Sequence, residues 1–399
     1  MTLELLNCLL YCLTLLFYIF NKRNKANIVS VYTVIFAAYA IVSLLCALYR
    51  YDEPGKYANT TLLSYLFLYL CVVVSISPFK GFRLKASQVA EFKETQLIKV
   101  LTWIYVVTGV ITLTMSLPTT IRLFQSGEWG VLRNDLYAGQ VQLTSSSLEF
   151  LVKNIFGYLN PFGIIICLYQ LSKPKPSKFL STILLIVWVV NEFLAATLIA
   201  SRSMVASLVF KFVVMAVLFR DVINVRVKRM LGVFGVLAAV FTIIYFSLVS
   251  VSRFGEEGAG SSVYFYLGHS MPAFNELIMG SMHDYAYGKY AFKPFIQYLG
   301  GNTTIDYKAL GSKADGEFYT FVGDDYIDWG PVGTLLLVIF LTVFLRHFTK
   351  KKHLHLCDLT IILFFATYYL NGVFVVGEGF AWQLLWALII YFIVKQAEH

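Results

Sequence analysis

The sequence predicts an all-α polytopic membrane protein with about eleven transmembrane helices, its N-terminus outside and its C-terminus in the cytoplasm. Of its 399 residues, 58% are hydrophobic and only 14% are charged, and the mean hydropathy is +0.70. A soluble core cannot bury that much apolar surface. We therefore interpret residues 1–399 as a single integral membrane domain.

Apolar runs that are each long enough to cross about 30 Å of hydrocarbon as a helix recur along the whole chain. They occupy residues 3–20, 27–49, 61–78, 98–117, 150–171, 179–199, 203–219, 230–251, 329–346, 356–376 and 380–394. The seventh run is short and contains Lys211, so it is the least typical. The first run lacks the basic front and the small-residue cleavage site of a signal peptide.

Lysine and arginine are concentrated in alternate connections between these runs, which with Lys99 and Lys395 hold 20 of the 32. The opposite connections carry 10 Lys and Arg and 17 Asp and Glu. Because basic connections stay in the cytoplasm, this asymmetry predicts the orientation given above. The net charge of +9 is thus a topology signal, and it gives no reason to expect nucleic acid as a partner.

Two connections are long, residues 118–149 and residues 252–328, and both fall on the predicted outer side. Long connections are usually functional or disordered. The second is rich in Tyr, Phe and Trp and low in net charge, which disfavours disorder. The sequence therefore predicts two large functional extracytoplasmic loops.

The second loop ends in the stretch GEFYTFVGDDYIDWGPVG, residues 316–333, directly before an apolar run. Tyrosine and tryptophan are common at the water–lipid boundary as anchors. That is one interpretation of Tyr326 and Trp329, but it does not account for the acids of this stretch. Carboxylates accept hydrogen bonds from sugar hydroxyls, and aromatic rings cover sugar C–H faces. The residues that favour a sugar-binding role are Glu317, Asp324, Asp325, Tyr326 and Asp328.

Four of the five arginines on the predicted outer side are candidates for a specific role, because a chain with cytoplasmic basic loops should have few arginines there. They are Arg122, Arg133, Arg202 and Arg253. An arginine near the bilayer centre costs about 2.5–3.5 kcal/mol. Snorkelling to headgroup phosphates is one interpretation. The other is recognition of a diphosphate, because the guanidinium fork meets two oxygens at once.

Histidines and acids supply the candidates for proton transfer. His269 and His283 lie in the second long loop, and a histidine there can act as a general base near neutral pH. Packing within an aromatic loop is the alternative interpretation. No zinc-binding spacing occurs, and adjacent Asp324 and Asp325 would point apart, so we predict neither a metal site nor a cofactor. The six cysteines fit neither a metal site nor a disulfide framework.

Residues 325–333, D-Y-I-D-W-G-P-V-G, resemble the Y-x-D-[FW]-G-x-x-G signature of bacterial oligosaccharide repeat-unit (O-antigen, Wzy-type) polymerases. Members of that family have ten to fourteen spans, two enlarged outer loops and commonly a Ser-Arg pair in a turn, which Ser201 and Arg202 match. The R-x10-G pattern of some members is absent from both loops.

The resemblance implies a membrane glycosyltransferase of the bacterial cytoplasmic (inner) membrane. It would join undecaprenyl-diphosphate-linked oligosaccharide repeat units into O-antigen or capsular polysaccharide. His269 is then the first candidate base and Asp328 the second, while Arg133, Arg202, Arg253, Glu317 and Tyr326 are candidates for substrate binding. The expected partners are that lipid-linked oligosaccharide, the lipid bilayer and a chain-length regulator protein.

Two other classes stay open at this stage. A lipid-linked oligosaccharide flippase would need charge lining a central cavity, but the spans hold few ionisable residues. A glycosyltransferase that uses a polyprenyl-phosphate sugar would need paired acids in its first outer loop, where only Asp52 and Glu53 occur.

Overall fold

A computed structural model describes residues 2–21, 27–49, 57, 59–90, 92, 94–137, 146–173, 175–313, 319–372 and 379–398. These residues form helices, turns and connections, with no strand among them. A 3-10 helix occupies Ser77–Phe79, and a π-helix occupies Phe274–Met279. The α-helices in chain order are α1 Thr2–Phe20, α2 Ile28–Tyr49, α3 Leu62–Ile76, α4 Ala86–Ala90, α5 Gln96–Ser126, α6 Trp129–Tyr137, α7 Ser147–Ser172, α8 Lys178–Leu198, α9 Arg202–Leu218, α10 Val225–Gly268, α11 Ser270–Ala273, α12 Lys293–Tyr298, α13 Phe321–Thr349, α14 Leu356–Asn371 and α15 Phe380–Glu398.

Within the described residues, nine helices are long and apolar enough to cross a bilayer. They are α1, α2, α3 with its 3-10 extension, α5, α7, α8, α10, α13 and α15. The fold is therefore that of a helical multi-pass membrane protein. The two remaining predicted spans are also helices, but α9 has 17 residues and α14 has 16, about 26 and 24 Å at 1.5 Å per residue.

Helical structure extends well into both predicted outer loops. In the first, α5 continues to Ser126 and α6 follows, while residues 138–145 lie outside the described part. In the second, α10 continues to Gly268 across a break at Gly255, where φ is 73°. The helix of the ninth predicted span, 329–346, also begins earlier than its apolar run, at Phe321. Hydropathy marks where a helix is apolar, and a helix can continue in polar sequence beyond that point.

The chain divides into two compact units. The first comprises Met1–Phe82, Gly260–Lys351 and Phe365–Leu385, and the second comprises Arg83–Ala259, Lys352–Phe364 and Trp386–His399. The interpretation of residues 1–399 as one membrane domain stays a prediction.

In the first unit, α1 packs against α2 and α3, and α13 packs against α3. Side-chain hydroxyls satisfy carbonyl groups between distant segments: Tyr32 donates to Ala366 over 2.5 Å, and Thr342 donates to Val74 over 3.2 Å. Such bonds suit a low-dielectric interior, where an unpaired polar group is costly.

In the second unit, α5, α7 and α8 pack closely because glycines remove side-chain bulk at their contacts. A Cβ at Gly109 would lie 2.2 Å from Val187, and one at Gly163 would lie 2.2 Å from the Tyr105 ring. Small residues serve this purpose in membrane helices, where backbones approach closely. Asn191 adds a hydrogen bond of 2.9 Å to the carbonyl of Gly109.

A polar cluster joins α7, α8 and α9 inside the second unit. Glu192 Oε1 accepts hydrogen bonds from Lys211 at 2.7 Å, Asn160 at 2.7 Å and Trp188 at 3.1 Å. Tyr105 donates to Asn160 at 3.0 Å. Charges inside apolar helices are expensive unless they are paired, so this cluster explains how α9 accommodates Lys211.

We predict that Lys211→Met and Glu192→Gln each destabilise the protein by about 3 kcal/mol, because each leaves one group of a largely buried pair without its partner. The double variant should recover most of that loss, since neither charge then remains. Thermal unfolding in detergent checks this, with Lys178→Met, an exposed lysine at the start of α8, as control. Additive losses in the double variant would contradict the pairing.

Candidate functional site

The acidic turn, residues 320–330, is the first part of the candidate site in the first unit. Thr320 has extended backbone angles and precedes α13, whose first N–H, that of Phe321, donates to the carbonyl of Gly372 over 2.9 Å. Although we call this segment a turn, it is a regular α-helix from Phe321 to Asp328, its last acid. Three carboxyl groups are buried in it, those of Asp324, Asp325 and Asp328.

Asp328 holds a second segment, the wrapping loop of residues 284–292. Its Oδ1 accepts the N–H of Tyr290 at 2.9 Å, and its Oδ2 accepts the N–H of Ala291 at 2.7 Å. Its backbone carbonyl accepts the N–H of Tyr287 at 3.0 Å, and the carbonyl of Ile327 accepts that of Ala286 at 2.7 Å. The carboxyl group therefore fixes the loop to the end of the acidic turn.

Gly330 divides α13 into the acidic turn and the apolar helix that begins at Pro331. Its φ of 62° lies in the left-handed region, and a Cβ there would lie 2.5 Å from the ring of Tyr285. Only glycine meets both conditions without strain. The broken helix leaves the carbonyls of Ile327 and Asp328 open to the wrapping loop, which uses them.

Tyr326 was predicted to bind substrate, and its ring lies in an aromatic cluster. The cluster consists of edge-to-face pairs with Phe67 at 6.1 Å, Phe274 at 5.9 Å and Tyr285 at 5.9 Å. Only 4% of Tyr326 is exposed. The ring is therefore packed against these three aromatic side chains and does not reach the protein surface.

His269, the first candidate base, is fully buried at the junction of α10 and α11. The neighbouring Gly268 lies so close to α2 that a Cβ would be 2.7 Å from the carbonyl oxygen of Val42. Ser270 on its other side donates to Tyr39 over 3.0 Å. The second histidine, His283, is exposed, and its ring covers Gly311.

Arg202 lies in the second unit, at the first residue of α9. The tight turn before it contains Ala200 at φ 47°, and Ser201 caps the helix by accepting the N–H of Met204 at 3.3 Å. The guanidinium is buried, and its Nη1 donates to Ser250 at 2.8 Å. A helix N-terminus carries partial positive charge, so a cation there adds to a field that favours anions.

Three predicted site residues cannot be placed in full. Arg133 and Arg253 belong to α6 and α10, but their side chains lie outside the described part of the structure, and Glu317 lies outside it altogether. Their roles stay predictions. Among the described residues, no group of three or more His, Cys, Asp or Glu side chains could hold a metal ion.

Sequence reasoning missed the wrapping loop. Its sequence with the preceding histidine, HDYAYGKYAF, alternates polar residues with rings much as the signature stretch does, and that composition is the signal that could have indicated it. Its attachment to the acidic turn depends on Asp328, which stands 38 residues from Tyr290 along the chain. No local pattern predicts such a distant contact.

Comparison with family models, with characterised proteins and with solved structures finds no match for this chain.

We predict that Asp328→Ala lowers the free energy of unfolding by about 3 kcal/mol, because two N–H groups of the wrapping loop lose their acceptors. Asp328→Asn should lose about half as much, since the amide oxygen can still accept one of them. Thermal unfolding in detergent measures both. Asp306→Ala is the control. Among the described residues, that exposed carboxyl accepts the N–H of Ala309 alone, at 3.1 Å, and its loss should change stability by less than about 0.5 kcal/mol. Equal stability of all variants would exclude the fixing role.

We predict that His269→Ala lowers stability and any catalytic activity together, because its ring is fully enclosed by packing. The measurement is the unfolding temperature of each variant beside its activity, with exposed His283→Ala as the matched control. Loss of activity at wild-type stability would instead identify His269 as a general base.

Proposed function

We propose that the chain is a glycosyltransferase of the bacterial cytoplasmic membrane that polymerises undecaprenyl-diphosphate-linked oligosaccharide repeat units on the outer face. Its multi-pass helical fold suits a substrate whose carrier is dissolved in lipid. The signature resemblance of residues 325–333 supports the same conclusion. The outward orientation of the two long loops is part of the proposal and depends on the distribution of lysine and arginine.

The observation that carries the proposal is the position of Arg202. An arginine is held at the N-terminal end of an apolar helix by Ser250, where the helix dipole already favours negative charge. The guanidinium is buried, so a ligand reaches it only after the residues around it move. A fixed positive charge there suits the diphosphate of a lipid carrier, on which charge builds as the glycosidic bond breaks.

The reaction follows from this substrate. The bond between the anomeric carbon and the diphosphate oxygen breaks, and undecaprenyl diphosphate leaves with the bonding electrons. A hydroxyl of the second repeat unit forms the new bond to the anomeric carbon and gives its proton to a base. His269 and Asp328 are the predicted candidates for that base, and because both are buried, substrate meets either only after the residues around it move.

The test is reconstitution of the purified protein in liposomes with lipid-linked repeat units on the outside. We expect a ladder of products that differ by one repeat unit on a gel. A polyprenyl-phosphate sugar given instead should yield no product, whereas a transferase for single sugars would add one sugar to each acceptor. Transport of labelled substrate without polymer would indicate a flippase.

In the same assay we predict that Arg202→Lys lowers the rate of polymerisation at least tenfold, a loss of about 1.4 kcal/mol in transition-state stabilisation. Lysine keeps the charge but lacks the planar fork that engages Ser250 and a phosphate together. Arg122→Lys, at an exposed position in α5, is the control and should polymerise normally. Wild-type rates for both Arg202→Lys and Arg202→Gln would remove the arginine from the mechanism.

A further inference from the structure

The wrapping loop presents aromatic rings to solvent around a single glycine. Tyr287 is 72% exposed, Phe292 is 43% exposed, and Trp329 at the end of the acidic turn is 38% exposed. A Cβ on Gly288 would lie 3.0 Å from the ring of Trp329 and 3.2 Å from that of Phe292. The rings of Trp329 and Phe292 therefore meet at Gly288, and the exposed ring of Tyr287 belongs to the residue directly before it. We call these three exposed rings the ring platform.

The conformation of Tyr287 is costly and is held by the backbone. Its φ is 51°, a left-handed value that is uncommon for a bulky residue. The N–H bonds of Ala286 and Tyr287 to the end of the acidic turn impose it. Burial does not offset this strain, because 72% of Tyr287 is exposed at the protein surface. Strained residues concentrate at ligand-binding and catalytic sites.

Asp284 provides a charged group beside the platform. Its Oδ1 accepts the N–H of Tyr285 and the hydroxyl of Tyr287, both at 2.8 Å. Those two hydrogen bonds lower the pKa of Asp284 below its usual value, so the exposed carboxyl is ionised at neutral pH. Its Oδ2 takes no hydrogen bond from the described residues and can accept one from a ligand.

We propose that the ring platform and Asp284 form a saccharide-binding site, which takes a pyranose unit of the oligosaccharide. The apolar C–H face of the sugar lies against the exposed rings, and its hydroxyls donate to Asp284 Oδ2. An ionised carboxylate is a strong acceptor for the hydroxyl donors of a sugar. The oligosaccharide as substrate class rests on the proposed function.

Two variants that should not lower the stability of the protein test the site. Tyr287→Gly removes the ring and also removes the strain, because glycine adopts a φ of 51° freely, so its unfolding temperature should equal or exceed that of the wild type. Asp284→Asn removes the charge and keeps the shape. The matched control is Tyr298→Ala, which deletes a tyrosine ring that is 87% exposed at the end of α12.

The probe is a free oligosaccharide without lipid or phosphate, cut from the polysaccharide of the producing organism, and binding to the purified protein is measured by saturation-transfer NMR and calorimetry. We expect binding by the wild type and by Tyr298→Ala. Tyr287→Gly and Asp284→Asn should each weaken it at least tenfold. Wild-type affinity in both variants overturns the proposal, as does a wild type that binds no oligosaccharide. A third outcome is that the wild type binds no oligosaccharide and that Tyr287→Gly is recovered less well than the wild type in phosphatidylethanolamine and phosphatidylglycerol liposomes. The rings would then be a lipid anchor, and the proposal would be overturned.

This binding assay is independent of polymerisation. If the wild type binds oligosaccharide, Tyr287→Gly does not, and no polymer forms, then the saccharide site is supported and the polymerase function is contradicted. Polymer formation with unchanged binding in both variants would keep the polymerase and remove the saccharide site.

Discussion

A helix break in a membrane protein must find new partners for the backbone groups that it exposes, because lipid supplies none. The break at Gly330 is the point on which the candidate site depends. It ends the regular hydrogen bonding of the acidic turn, and the wrapping loop then bonds to the carbonyls of Ile327 and Asp328. The carboxyl group of Asp328 completes the arrangement by accepting two further N–H groups. A polar loop is thereby fixed to the end of an apolar helix.

The same constraint explains the distribution of polar groups in the helices. Lys211 lies within a short apolar helix and is paired with Glu192, whose carboxyl group also receives Asn160 and Trp188. By contrast, the apolar span of α10 is only 11% buried and presents its aliphatic side chains outward, which suits contact with lipid. The polar groups around Lys211 are thus matched inside the protein, while the apolar residues of α10 need no partner.

Sequence predicted the helices well because hydropathy reports directly on contact with lipid. It did not predict that α10 continues through polar residues to Gly268, since helix formation there does not depend on lipid. The signature resemblance of residues 325–333 made Asp328 a candidate base, and that role stays a prediction. The contact of that acid with Tyr290 and Ala291 joins segments that are far apart in sequence, and no local periodicity encodes it. The left-handed backbone of Tyr287 was equally hidden, because tyrosine rarely adopts it.

Some residues of the site occupy energetically unfavourable positions that contacts within the protein compensate, whereas others receive no such compensation. Burial of Asp328 is compensated by two hydrogen bonds to the wrapping loop, so the fold itself offsets the cost of burying that carboxyl group. Gly330 is explained by its backbone angle and by the ring of Tyr285. Tyr287 differs, because its strained backbone supports a ring that is mostly exposed at the protein surface and contributes little burial. Asp284 orients that ring by accepting a hydrogen bond from the Tyr287 hydroxyl, and its own carboxylate stays exposed. A pair that is ordered at a cost, yet contributes little to the core, is better explained by what it contacts outside the protein.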